Sequence, residues 1–186
     1  MAIRNMLTGV LNPLKGWPDT NALDIAAPYS AAALAALAPD PIPGGRCAHL
    51  NASKQLDLGC EHEAGKIHMP IFTLHWSDHP DVVNVGGITG SASDDPQGWM
   101  GVKRGNMSGI VATAGVELQT DQFNTAQNYA PGDPLQAANI NKGVLSKGAL
   151  SSQLIVGIVS RGVVGLTQLP TATQVLTFWP VVIPPQ

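Results

Sequence analysis

From Pro41 to the C-terminus, short apolar stretches alternate with clusters of Gly, Pro, Asn and Asp. Short apolar stretches bounded by such turn-forming residues are typical of β-strands. The pattern predicts nine strands, at Cys47–Leu50, Leu56–Leu58, Ile67–His75, Val82–Ile88, Ser108–Leu118, Leu135–Ala138, Gly143–Leu145, Leu154–Ser160 and Gln174–Val182. They predict a mainly β protein with a compact sandwich or barrel-like body. Pro180 in the last stretch predicts an edge strand or an extended tail, since proline cannot donate a ladder hydrogen bond.

The N-terminal part has a different texture. Residues 30–38 predict one short Ala-rich helix, with Ser30 as N-cap and Pro39 as stop. Within it, Leu34 and Leu37 fall on the same side. Residues 1–29 are repeatedly interrupted by proline and glycine, so they predict an extended N-terminal arm, with a loop packed on its own domain as the alternative. The expected division is therefore an arm with helix at 1–39 and a β domain at 40–186.

A weak internal repeat is visible at an offset of 88 residues. The pairs Pro43-Gly44 and Pro131-Gly132, Asn51 and Asn139, and Lys54 and Lys142 recur at this spacing. Each copy has a Pro-Gly turn, a short strand, a polar turn and a second short strand. If the repeat is structural, the β domain contains two similar units, at about 40–90 and 128–186.

Composition narrows the function classes. Charged residues make up 12% of the chain, about half the usual share, and 44% of the residues are hydrophobic. The net charge of −3 gives no electrostatic case for binding nucleic acid. Residues 40–100 carry 8 acidic and 3 basic side chains, whereas residues 101–186 carry 3 acidic and 5 basic ones.

The chain shows no sign of membrane insertion or export. No apolar run approaches the roughly 18–20 residues of a membrane span, and the first residues lack the pattern of a secretory signal. Two cysteines, Cys47 and Cys60, fit a reducing compartment. We therefore expect synthesis in a cytoplasm and no membrane partner.

The most suggestive chemistry is a doubled Cys-x-His, formed by Cys47 with His49 and Cys60 with His62. Thiolates and imidazoles are zinc ligands, and two such pairs would supply four. Common zinc patterns, however, have two to four residues between the ligands of each pair. The prediction is therefore no metal site, with these side chains in or beside a β core.

A second cluster offers no better case for catalysis. His68, His75 and His79 follow closely, with Asp78 and Asp81 nearby, but no metal-binding helix motif is present. The sequence also lacks the Gly-x-Ser-x-Gly nucleophile motif and the Gly-Lys-Ser/Thr end of a phosphate loop. We expect no catalytic residues, no cofactor and no enzymatic activity.

Several segments resemble a known family. Those in the C-terminal third are Tyr129-Ala-Pro-Gly-Asp-Pro-Leu135, Ile155-Val-Gly-Ile-Val-Ser-Arg-Gly162 and Val175-Leu-Thr-Phe-Trp-Pro180. Those in the middle are Asp57-Leu-Gly59, Met69-Pro-Ile-Phe72, Gly98-Trp-Met100 and Met107-Ser-Gly-Ile-Val-Ala-Thr-Ala-Gly-Val-Glu-Leu118. Together they resemble the head decoration (cement) proteins of tailed bacteriophages, over roughly residues 40–183.

This resemblance implies a structural virion protein with a compact fold of the β-tulip type. It would bind the outer surface of an expanded capsid and clamp neighbouring capsomers against internal DNA pressure. The implied partners are the major capsid protein and other copies of the chain, as a trimer or, in some phages, a dimer. An arm often pairs with the shell protein, and its candidate anchors here are Ile3, Met6, Leu7, Leu11, Leu14 and Trp17.

Two other functions remain open at this point. One is a tail or spike β module that binds a host receptor. The other is a small metal-dependent enzyme that uses Cys47, His49, Cys60 and His62.

Overall fold

The computed structural model describes residues 11–15, 24–37, 42–66, 68–73, 106–111, 116–166 and 173–186. Within them the strands are β1 (Leu11–Lys15), β2 (Asp24–Pro28), β3 (Cys47–Leu50), β4 (Leu56–Leu58), β5 (Ile71–Thr73), β6 (Asn106–Val111), β7 (Glu117–Thr120), β8 (Pro134–Gln136), β9 (Ser146–Lys147), β10 (Ile155–Leu166) and β11 (Thr173–Ile183). The α-helix is α1 (Ala31–Leu37), and a short 3-10 helix spans Asn139–Asn141. The prediction of a mainly β protein is confirmed.

The strands form two antiparallel sheets. The larger sheet has the order β1-β7-β11-β10-β8-β9, and the smaller sheet has the order β2-β6-β5-β3-β4. Closure of either sheet into a barrel or tulip stays a prediction.

The two sheets repeat one topology. In chain order, β2 to β6 form the smaller sheet, and β7 to β11 follow the same path through the larger one. An isolated parallel bridge also occurs at the same place in both. Tyr29, just after β2, pairs with Leu56, and Phe123, shortly after β7, pairs with Leu145. We call residues 24–111 the first unit and 116–186 the second. These spans are wider than the expected 40–90 and 128–186, because each includes a strand that precedes its Pro-Gly turn and the first also includes β6.

The two hairpins share their register at the offset read from the sequence. Ala48 pairs with Leu58 in the first unit, and Gln136 pairs with Ser146 in the second, 88 residues later. Lys54 and Lys142 both adopt the left-handed conformation, with φ of 61° and 55°. The two segments that resemble each other in sequence thus also share their local backbone conformation.

The main core lies between the sheets. Its fully buried aromatic residues are Phe72 of β5 and Phe178 of β11, whose ring centroids are 5.1 Å apart. The opposite face of the smaller sheet packs against Ala33 of α1 and against Ile42. Helix α1 begins as predicted, since Ser30 Oγ accepts a hydrogen bond from Ala33 N at 3.1 Å. Its buried residue is Ala33, whereas Leu34 is exposed.

Most of the strand predictions fall on strands, with instructive shifts. The stretch 108–118 divides into β6 and β7, which belong to different sheets. The strand expected at 143–145 is instead Ser146–Lys147, because Leu145 makes only the bridge to Phe123. The expected strand at 82–88 lies outside the described residues.

The edge position predicted for the last strand is wrong. Strand β11 lies between β7 and β10. Within the described residues its pairing with β7 covers Leu176–Phe178, so Pro180, which pairs with Gly157 of β10, lies beyond the part of β11 that pairs with β7. A central strand can therefore contain this proline.

The expected separate arm does not hold for two of its segments. Strand β1 pairs antiparallel with β7, and β2 pairs antiparallel with β6. Proline is compatible with both strands because Pro13 lies on an edge strand beside a bulge and Pro28 ends β2. The remaining parts of the expected arm lie outside the described residues.

Candidate interaction surface

The predicted capsid-contacting residues are only partly placed by the structure. Leu11 and Leu14 belong to β1, at the edge of the larger sheet. The other four predicted anchors, Ile3, Met6, Leu7 and Trp17, lie outside the described residues. Within the described residues, the surfaces available for contact with a partner are therefore formed mainly by the two sheets.

The two longest strands, β10 and β11, form a ribbon that extends beyond its neighbours. They pair from Ile155 opposite Ile183 to Leu166 opposite Thr173. Their neighbours are shorter, since among the described residues β8 borders β10 only at 157–158 and β7 borders β11 only at 176–178. Val163 and Val164 point to opposite faces of this ribbon, and they are 37% and 41% exposed.

An apolar row crosses the outer face of the larger sheet. Trp179 of β11 lies opposite Ile158 of β10, and Ile158 lies opposite Pro134 of β8. The Trp179 side chain is 47% exposed, although its neighbour Phe178 is fully buried against Phe72. We call Trp179, Ile158 and Pro134 the apolar row. A large aromatic side chain on a rigid strand is a typical centre of protein contacts.

A bulge in β10 fixes the ribbon to the rest of the sheet. The register shifts between Val159 and Gly162, which leaves Ser160 and Arg161 without partners in the ladder. Arg161 donates two hydrogen bonds to Glu117 of β7, from Nε at 3.0 Å and from Nη2 at 2.8 Å. The Glu117 side chain is only 3% exposed, so this bidentate pair supplies its charge partner.

The Pro-Gly turn of the second unit supports β10 below the bulge. Gly132 N donates to Val159 O at 2.8 Å, and Val159 N donates to Asp133 O at 2.9 Å. The Asp133 carboxylate accepts a hydrogen bond from Ala130 N at 2.7 Å and an ion pair from Lys147. The hydrogen bond from Ala130, followed by that from Lys147, lowers the pKa of Asp133.

Cys47, His49, Cys60 and His62, the four side chains of the alternative metal site, do not come together in one cluster. Cys47 and Cys60 are both free and buried in the main core, whereas His62 is exposed. His49 contacts His68 instead, with ring centroids 4.4 Å apart, and its Nδ1 donates to Gly59 O at 2.8 Å. Within the part of the chain that the structure describes, no three His, Cys, Asp or Glu side chains are arranged to hold a metal ion.

Exposed charges surround His68. Its Nε2 lies 3.0 Å from Glu63 Oε2, and Lys66 Nζ lies 2.6 Å from Glu63 Oε1. The hydrogen bonds from Lys66 and then from His68 lower the pKa of Glu63. His75, His79, Asp78 and Asp81 lie outside the described residues.

None of the helices in the described ranges is both long and apolar enough to cross a membrane. Searches with protein-family models, among curated proteins and among solved structures find no match for the chain.

Sequence reasoning overlooked the apolar row. The available signal is the stretch from Val175 to Val182, in which all residues but Thr177 are apolar, on both faces of the strand. A strand with two apolar faces is covered on both sides or offers one side to a partner. Which of these two arrangements applies to β11 depends on the strands that lie beside it in the larger sheet. The sequence pattern does not show which strands these are.

Proposed function

We propose that the chain is a non-enzymatic virion protein that binds the outer surface of an expanded phage capsid. The observation that carries this proposal is the exposed Trp179, held on the hydrogen-bonded β10–β11 ribbon within an apolar row. A half-exposed tryptophan in such a row favours a protein partner. The family resemblance, in which β10 and β11 contribute two of the quoted segments, names the major capsid protein as that partner.

The proposed action is mechanical. DNA packed in the head pushes outward, and a protein that bridges neighbouring capsomers must lose its contacts before they separate. Many copies of modest affinity stabilise a shell together, because each shell offers many equivalent sites. Two sheets joined by a shared core are suited to transmitting load through the molecule.

The apolar row supplies the contact surface of this proposal. Its residues belong to three neighbouring strands, so their relative positions are fixed by ladder hydrogen bonds. Arg161 and the 130–133 turn hold β10 at the next positions along the strand. A partner therefore meets a surface that loses little conformational entropy on binding.

Binding to shells tests the proposal directly. Purified protein is sedimented with expanded capsids that lack it, and the shells are then heated with and without added protein. We expect saturable binding in a fixed ratio to the shell protein and a higher disruption temperature. Absence of binding at micromolar concentration would contradict the proposal and favour the tail or receptor-binding module.

A pair of variants assigns the contact surface. Trp179→Ala removes the exposed indole, and we expect the affinity for shells to fall at least about tenfold. Ile140→Ala is the matched control, since Ile140 is 85% exposed on the 3-10 helix between β8 and β9 and is not part of the apolar row. Equal shell binding by the two variants, with unchanged circular dichroism, would exclude Trp179 from the interface.

The oligomeric state follows from the resemblance alone, which favours a trimer and allows a dimer. Sedimentation velocity of the free protein measures it, and a monomer at all concentrations would restrict self-association to the shell surface.

A further inference from the structure

The two cysteines of the chain lie together at the seam between the two units. Cys47 N donates to Gly143 O at 2.9 Å, and Cys60 N donates to Ala137 O at 2.7 Å. Both acceptors belong to the second unit. The backbone N–H groups of both cysteines of the first unit thus donate hydrogen bonds to the second unit.

In the β3–β4 hairpin, Cys60 lies one residue beyond the position directly opposite Cys47. Ala48 pairs with Leu58, so Gly59 is opposite Cys47, and Gly59 N donates to Cys47 O at 2.9 Å. Cys60 is the next residue. In a regular strand its side chain would point to the face opposite that of Cys47.

A bend at Gly59 changes that direction. Its φ of +92° is left-handed, and both cysteine side chains belong to the same buried core cluster. The Cys60 thiol is also one of the groups that raise the pKa of Cys47, so the two thiol groups interact with each other. Neighbouring Cα positions and a shared side are the geometric conditions for a disulfide.

We propose that Cys47 and Cys60 form a reversible intramolecular disulfide within the first unit when the folded protein enters an oxidising environment. In a reducing cytoplasm the pair stays a dithiol. The oxidant is a small disulfide such as oxidised glutathione. One thiolate attacks it and releases one glutathione thiol; the second thiolate then attacks the mixed disulfide and releases the other.

The balance of the reaction is simple. Two S–H bonds break, one Sγ–Sγ bond forms, and the protein loses two protons and two electrons to the glutathione disulfide. Burial is the main cause that raises the pKa of the Cys47 thiol. Since the thiolate is the attacking species, the folded protein reacts slowly at neutral pH and faster as the pH rises.

Oxidation of the full chain tests the proposal. The reduced protein is incubated under native conditions with oxidised glutathione at several pH values, and a second sample is refolded from urea in the same redox buffer. In both samples we expect a monomer lighter by two hydrogen atoms, with the peptides of Cys47 and Cys60 joined in a non-reducing digest. We also expect a higher urea midpoint than that of the reduced protein.

The chain has 2 cysteines, so no other intramolecular pair competes. Cys60→Ala is the control, and it should retain at most one glutathione adduct on Cys47. A stable glutathione adduct on the refolded unsubstituted chain, two free thiols after refolding in excess oxidant, or a lower urea midpoint of the oxidised form would each overturn the proposal.

Discussion

Gly143 shows how a single residue holds the seam between the units. Its φ is +76°, and an added Cβ would collide with the carbonyl oxygen of Cys47. Gly65 has nearly the same φ, +77°, but open space around the position of a Cβ. Substitution of either glycine therefore strains the backbone, but only substitution of Gly143 also causes a steric collision.

We expect Gly65→Ala to lower the free energy of unfolding by about 1 kcal/mol, the cost of a left-handed alanine. Gly143→Ala should lower it by more than about 3 kcal/mol, because the backbone of Cys47 has no room to move without breaking the seam. Urea unfolding of both variants measures the difference. Equal losses would mean that the seam yields to the extra methyl group.

Asp133 gives the turn beside β10 a defined pH dependence. Its pKa is lowered in the folded protein, first by the hydrogen bond from Ala130 and then by Lys147. A lowered folded pKa adds stability above the unfolded value of about 3.9, and this stability is lost as the pH falls through the folded pKa. We expect the urea midpoint to drop as the pH falls below about 4, the unfolded value.

The control for this effect is Asp133→Asn, which keeps the size of the side chain and removes its charge. Its urea midpoint should change less with pH over the same window. Parallel curves for the variant and the unsubstituted protein would show that other carboxylates cause the acid loss.

At the scale of elements, β1 and β2 make different contributions to the stability of their sheets. Strand β1 is an edge addition to the larger sheet, whereas β2 belongs to the repeated five-strand topology. Tyr29, just after β2, is buried and bridges Leu56 of β4. The first unit therefore depends on β2 and on Tyr29 more than the second depends on β1.

Two truncations separate these roles. Deletion of residues 1–15 should leave a folded protein with a lower urea midpoint, since one edge strand is lost. Deletion of residues 1–29 should abolish cooperative unfolding, because the smaller sheet loses β2 and its bridge to β4. Circular dichroism during urea titration checks both, and a cooperative transition in the longer deletion would return residues 1–29 to the role of an independent arm.

The elements that sequence predicts well are those whose signals are local. The bounds of β3 and β4 match their apolar stretches, and Ser30 caps α1 because capping needs only the next three residues. The positions of β1 and β2 depend on distant partners, β7 and β6, so their sequences look irregular. The apolar row likewise arises from three strands that are separated along the chain.

At the scale of the whole molecule, the repeated topology does not give two independent halves. The main core combines Cys47, Cys60 and Phe72 of the first unit with side chains of the second. Arg46 of the first unit donates to Lys142 O at 2.8 Å, and Glu61 accepts from Asn139 N at 2.6 Å. Each unit thus completes the burial and the hydrogen bonds of the other.

Residues 116–186 alone should therefore fail to fold, although they contain all five strands of the second unit. Without the first unit, Phe178 loses Phe72 and becomes exposed to water, which costs several kcal/mol in a core of this kind. The full chain should unfold in one transition, with equal protection from hydrogen exchange in β3 and β10. Cooperative unfolding of the isolated 116–186 fragment, or a much earlier opening of β3 in the full chain, would mean that the seam joins two autonomous units.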